Sequence, residues 1–250
     1  MAGFAVLLRK ELKQQLRTYR LLIVAAVFLF FGLGTPLLLH YLPRLVPADD
    51  RFNMTIPEFT AVDAVQEYLS NFGQMGLLAV ILVTMGMVAR ERESGTAAMI
   101  LSKPVGRGAF VTAKLAALTL VFTAGIALGG LGCYAYTLII FGNPGGSNFL
   151  VANVVAGLYL LVCLAVTLMF SSFFRSQLAA GGLALVLLIV VALTAGLPVM
   201  KDYSPGALLR WANDIAAGSG THAWGALVVS LLVIVLTLII GWRVFRGKEL

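Results

Sequence analysis

FLVANVVAGLYLLVCLAVTLMF, residues 149–170, contains no Asp, Glu, Lys, Arg or His. A membrane β-strand would alternate apolar and polar positions over ~10 residues; this run does not alternate. As a helix rising 1.5 Å per residue it is long enough to cross a hydrocarbon layer of ~30 Å. In lipid only helices and closed barrels satisfy their own backbone polar groups, so the run reads as a membrane-spanning helix. Five further runs of the same kind occupy 21–42, 73–89, 110–140, 178–199 and 223–241. The 110–140 run is too long for one upright crossing and is expected to tilt or to lie partly along an interface.

Composition agrees with this reading. The chain is 60% hydrophobic and 12% charged, with a mean hydropathy of +0.96; the charged fraction is about half that of a soluble domain. The fold class is an all-α integral membrane protein: six transmembrane helices in a single transmembrane domain over 1–250, with an N-terminal interfacial helix (1–20) and short helices in two external segments, 43–72 and 200–222. Cys133 and Cys163 both fall in spans and read as small packing residues. The charged first twenty residues and the full-length span after them predict no cleavable leader.

Charge sets the expected orientation. Six spans place 14 of the 18 cations on one side with Glu11, Glu91, Glu93 and Glu249, and the remaining four on the other with seven acids. The sides carry +10 and −3, which make up the net +7. By the positive-inside rule the first side is cytoplasmic, with both termini. The basic balance is thus a topology signal and does not point to nucleic acid.

Residues 4–20 have helical periodicity. Arg9, Lys10, Lys13, Arg17 and Arg20 share an arc of about 100°, and Phe4, Leu8, Leu12, Leu16 and Tyr19 share the opposite face. This is the pattern of a helix lying on an anionic leaflet. Gly32, Gly34 and Pro36 predict a kink in the first span. Thr55-Ile56-Pro57-Glu58 reads as a helix start with a capping box, opening a short external helix through Phe72. Gly125 and Gly129 form a GxxxG pair that permits close helix approach, inside one subunit rather than across a dimer. Ser171-Ser172-Phe173-Phe174-Arg175-Ser176 reads as a short cytoplasmic turn. Ser204-Pro205 and Gly218 bracket a further external helix carrying Leu208, Leu209, Trp211 and Ile215, with Trp211 and Trp224 suited to an interface.

Much chemistry is missing. No ionisable residue is expected deep in a span, which argues against a proton-coupled carrier. No Gly-x-x-x-x-Gly-Lys-Ser/Thr occurs, because Gly247-Lys248 is followed by Glu249, so ATP hydrolysis would need another chain. No His-Glu-x-x-His or other metal-ligand spacing occurs. Ala217-Gly218-Ser219-Gly220 with His222 resembles a rhomboid protease signature, but lacks the first glycine and places Ser and His too close together; a turn is the better reading.

The informative polar stretch follows the second span: Glu91-Arg92-Glu93-Ser94-Gly95-Thr96, then Leu101-Ser102-Lys103-Pro104-Val105-Gly106-Arg107. A short charged loop between two spans lies in water, and its Gly and Pro fix turns around a short helix, 96–101. In order, the acidic-basic-acidic start, Gly-Thr, apolar pair, Pro and Arg resemble the membrane subunit of type-2 ABC exporters, the ABC-2 permease family. The resemblance covers almost the whole chain, and the long 43–72 segment resembles the subgroup that includes the permease of nitrous-oxide-reductase maturation. It implies a bacterial inner-membrane half-transporter that pairs with a second permease copy or homologue and with a separate ABC ATPase, which holds the ATP and Mg. The loop at 90–108 would dock on that ATPase. Glu91, Arg92, Glu93, Ser94, Gly95, Thr96, Leu101, Lys103, Pro104 and Arg107 are the coupling residues it implies, with no catalytic residue and no cofactor in this chain. The rival readings are a carrier or channel working without ATP, and a membrane scaffold for another complex.

Overall fold

The computed structural model describes residues 2–45, 58–96, 99 and 106–247, and among these the chain is helical. The helices are α1 (Ala2–Arg17), α2 (Arg20–Leu45), α3 (Ala61–Thr84), α4 (Ala89–Glu93), α5 (Arg107–Ile140), α6 (Gly146–Phe173), α7 (Gln177–Thr194), α8 (Ala207–Ala216) and α9 (Trp224–Gly247). Six stretches of the described residues are helical, long and apolar enough to cross a membrane; they lie in α2, α3 with α4, and α5, α6, α7 and α9. α6 is the central helix, with α3, α5, α7, α8 and α9 packed around it, while α2 pairs with α5.

Glycine sets the closest of these pairings. A Cβ on Gly32 would sit 2.1 Å from the carbonyl oxygen of Gly129, and one on Gly129 would sit 2.5 Å from that of Phe28. The GxxxG pair therefore faces α2 of the same chain, and Gly125 meets Val24 one turn away. α2 runs through Pro36 and Pro43 as one helix, and Gly32 serves close packing against α5. Phe28 fills the space beside this seam, edge-on to Phe72 at 5.1 Å and to Phe122 at 6.2 Å.

Several boundaries differ from the sequence reading. The capping box is one motif later than expected: Thr60 is the N-cap, its Oγ1 accepts from Asp63 N at 3.3 Å, and Thr60 N donates to the Asp63 carboxylate at 2.7 Å. Residues 55–57, where the cap was expected, lie outside the described residues. No break separates an external helix from the second span, because α3 continues from Ala61 to Thr84; Gly73 and Gly76 do not interrupt it but admit Leu209 and Leu160. α5 is one unbroken helix of 34 residues, about 50 Å long at the standard rise. α6 extends through Phe173, so Ser171 and Ser172 are buried helical residues and not part of a turn. α7 stops at Thr194, ahead of Gly196 and Pro198, which cannot continue it favourably. α8 begins at Ala207, and Ser204 instead donates to Val191 O. Trp211 of α8 is buried, its Nε1 donating to Thr221 O at 2.9 Å, while Trp224 is exposed.

Candidate functional site

One end of the bundle gathers α1, α4, the start of α5 and the end of α6, and there four charges meet. Glu11 of α1 and Lys114 of α5 each have side chains only 1% exposed, and Glu91 of α4 is 12% exposed. Lys114 Nζ lies 3.1 Å from Glu11 Oε1 and 3.0 Å from Glu91 Oε1. Lys10 Nζ closes the ring from the wetter side, 2.9 Å from Glu11 Oε1 and 3.2 Å from Glu91 Oε1. Two lysines and two carboxylates thus alternate, and the net charge is zero. Lys114 also lies over the Phe110 ring, 4.8 Å from its centroid, one turn back on α5. Among the described residues Glu11 Oε2 and Glu91 Oε2 have no hydrogen-bond partner, so each carboxylate is held there through one oxygen.

The electrostatics follow from this geometry. Burial pushes the Glu11 carboxyl up, but Lys114 and Lys10 together outweigh it and hold the group below its ordinary value of 4.5. Burial pulls the Lys10 ammonium down, and hydrogen bonding and charge attraction to Glu11 and Glu91 outweigh it, so Lys10 stays above 10.5. Such a ring ties its elements together but is costly to break: removing one member of a buried pair leaves an uncompensated charge, at about 3–5 kcal/mol.

The face of α1 that meets the bundle is neither of the two faces read from sequence. It is Leu7, Glu11 and Gln15, spaced by four residues and buried. Leu16 and Tyr19 of the apolar face are exposed. Gln15 Nε2 donates to Met87 Sδ at 3.4 Å, and Arg20 reaches the same sulfur. α1 and α2 meet at a corner where Tyr19 adopts φ +57, a left-handed conformation that costs a non-glycine residue roughly 1–2 kcal/mol.

Between α3 and α4 the regular helix lapses over residues 85–88, and Ser171 of α6 repairs it. Its Oγ donates to Met85 O at 2.8 Å and accepts from Val88 N at 3.0 Å and Ala89 N at 3.1 Å. Arg92 Nη1 donates to Ser172 O at 3.0 Å. α4 is therefore fixed to α6 by hydrogen bonds and to α1 and α5 by Glu91.

The expected coupling residues divide accordingly. Glu91 and Arg92 make these contacts within the chain, and both are partly exposed. Glu93, Ser94, Gly95 and Thr96 are exposed. Gly95 has φ +71, a conformation that favours glycine, and Thr96 Oγ1 turns back to donate to Glu91 O at 3.2 Å. Leu101, Lys103 and Pro104 lie outside the described residues, as does most of the expected 96–101 helix, and Arg107 is the first residue of α5. On α1, Arg9, Lys13 and Arg17 are exposed and Lys10 is half-buried, as is Arg20 at the start of α2. Sequence reasoning missed Glu11, Gln15, Lys114, Ser171 and Ser172. Glu11 carried a signal as the one acid among the cations of α1. Lys114 carried another: it lies inside an apolar run yet was read as an ordinary flanking charge.

Ser219 Oγ donates to Asp214 O at 2.6 Å and the His222 ring packs by Trp211 and Trp224, so 217–222 forms a capped turn. Among the described residues no group of three or more His, Cys, Asp or Glu could hold a metal ion.

Comparison with known proteins gives two findings. The model of a family described as ABC-2 family transporter protein matches residues 5–250. A protein of Bacillus subtilis (strain 168), the uncharacterized transmembrane protein YxlG, is 27% identical over 259 residues, spanning 100% of this chain and 99% of its own length.

Proposed function

This chain belongs to the ABC-2 transporter family, a membrane transport component, and from that premise we propose that it is the permease subunit of an ATP-driven bacterial exporter. Two copies, or one copy and a homologue, form the pathway in the inner membrane. A separate ATPase supplies ATP and Mg chemistry and docks on the loop after α4. The basic end of the bundle is cytoplasmic, with both termini.

The observation that carries this reading is Lys114. The ammonium of one buried residue joins Glu91, at the root of the exposed loop, to Glu11 of the interfacial helix, and its own helix crosses the membrane. A push on Glu93–Thr96 therefore reaches α1 and α5 through ion pairs of about 3 Å, and reaches α6 through Ser171 and Arg92. Glu93, Ser94, Gly95 and Thr96 serve as the docking surface, and Glu91 and Arg92 as its internal anchors. Leu101, Lys103, Pro104 and Arg107 complete the surface by resemblance. The rival carrier reading gains little from the buried carboxylates, since lysines hold both of them and neither lies midway along a span.

The test is isolation of the chain from its native membrane in mild detergent, with mass spectrometry of what accompanies it. The reading expects a P-loop ATPase, lost on charge reversal by Glu93→Lys. Glu91→Lys is a poorer probe, because it disrupts the ion cluster as well. Recovery of the chain alone, together with ion-driven uptake in liposomes that hold this chain only, would establish a carrier instead.

A further inference from the structure

Beside the ion cluster a cavity of about 450 Å³ opens between α1, the start of α2 and the turn into α4. Its described lining carries Lys10, Arg20 and Arg90 against one carboxylate, Glu91. Lys10 and Lys114 already bind Glu91, and among the described residues neither Arg20 nor Arg90 has a carboxylate within ion-pair distance. Arg20 is half-buried, and the partner its Nη1 finds is the neutral sulfur of Met87. A thioether is a weak acceptor, and a guanidinium has five N–H donors to place. Arg90 is exposed, pairs with no carboxylate among the described residues, and repels Arg20. Two donor forks of like charge on one cavity are matched by a tetrahedral phosphate, which accepts from both and removes their repulsion.

The level of the cavity selects the source of that phosphate. Arg20 is the first residue of α2. Tyr19, Leu22 and Ile23 beside it are large, apolar and exposed, so they suit the boundary between acyl chains and water. The basic end of the bundle is also the end attracted to an anionic leaflet. We infer that this cavity binds the phosphodiester head group of an anionic phospholipid between Arg20 and Arg90, with an acyl chain lying along Leu22 and Ile23. The site goes beyond the diffuse attraction of the α1 cations to a surface, and it does not depend on the ATPase pairing.

The full chain in neutral detergent is titrated with phosphatidylglycerol, phosphatidylcholine or inorganic phosphate. Native mass spectrometry counts the bound lipid, and the midpoint of thermal unfolding is followed in parallel. Phosphatidylglycerol is expected to bind and raise the midpoint, and the other two to do neither. Arg20→Gln and Arg90→Gln should each weaken phosphatidylglycerol binding about tenfold, the loss of one charge-assisted contact. Arg17→Gln, an exposed cation outside the cavity, should leave it unchanged. Arg90 is exposed, so its variant keeps the test decisive even where Arg20→Gln folds poorly. Unchanged binding by Arg90→Gln, or an equal loss in Arg17→Gln, overturns the site in favour of diffuse attraction. Reproduction of the shift by inorganic phosphate overturns the lipid source. If Arg90→Gln keeps lipid binding but releases a co-purifying protein, the arginines serve that protein and the inference fails.

Discussion

Lys114 has only 1% of its side chain exposed, and two carboxylates compete for its one charge. Lys114→Met should lower stability by about 3–5 kcal/mol, since Lys10 alone then faces both Glu11 and Glu91. Adding Glu11→Gln to that variant should recover part of the loss, because the number of unbalanced buried charges falls. Unfolding in detergent measures both; a pair no more stable than Lys114→Met alone would sink the ring as an energetic unit. The ring also fixes a pH window. The folded Glu11 carboxyl titrates below its ordinary 4.5, so its contribution is complete above about that pH and disappears as pH falls through the folded value. Lys10, raised above 10.5, contributes fully below that pH and loses its contribution as pH rises past the folded value. Spin labels on α1 and α5 should report a constant distance between these limits and a longer one in acid. A distance that already changes between pH 6 and 8 would contradict the assignment.

At the scale of elements, α2 and α5 offer a paired test. Gly32→Ala places a methyl 2.1 Å from the Gly129 carbonyl; backbone cannot yield as a side chain tip does, so the helices must separate, at a cost of about 1–3 kcal/mol. Gly34→Ala in the same helix meets nothing within 4 Å among the described residues and should stabilise by roughly 0.5–1 kcal/mol through helix propensity alone. Thermal unfolding of the two variants should therefore shift in opposite directions. Shifts of the same sign would mean that the glycine seam is not the closest contact between these helices. GxxxG made the close approach legible in sequence. The partner, however, was set by where Phe28 and Gly32 fall opposite Gly129, and no local pattern encodes that.

For the whole molecule the prediction concerns sidedness. Ser94 and Ser219 are exposed and lie in the loops at opposite ends of the bundle, Ser94 after α4 and Ser219 after α8. With Cys133 and Cys163 buried and free, Ser94→Cys should react with a membrane-impermeant maleimide only from the cytoplasm, and Ser219→Cys only from outside. The reverse result would invert the orientation read from Lys and Arg and remove the loop after α4 from reach of any ATPase.

The sequence by itself determined the fold class, because a run of about 20 apolar residues without alternation satisfies its backbone in lipid as a helix and not as barrel strands. It also determined the family resemblance, carried by an ordered set of loop residues, and the presence of an N-terminal amphipathic helix. Only the tertiary structure decided which face of that helix is buried. Periodicity separates apolar from charged positions, and Glu11 and Gln15 belong to neither stripe until Lys114 and Met87 are brought opposite them. The same holds for Ser171, whose hydroxyl looks like a turn residue until three backbone groups of the α3–α4 break lie within 3.1 Å of it. Apolar length is a local property and can be read along the chain. Pairing of buried charges depends on residues up to 103 positions apart and exists only once the helices are packed.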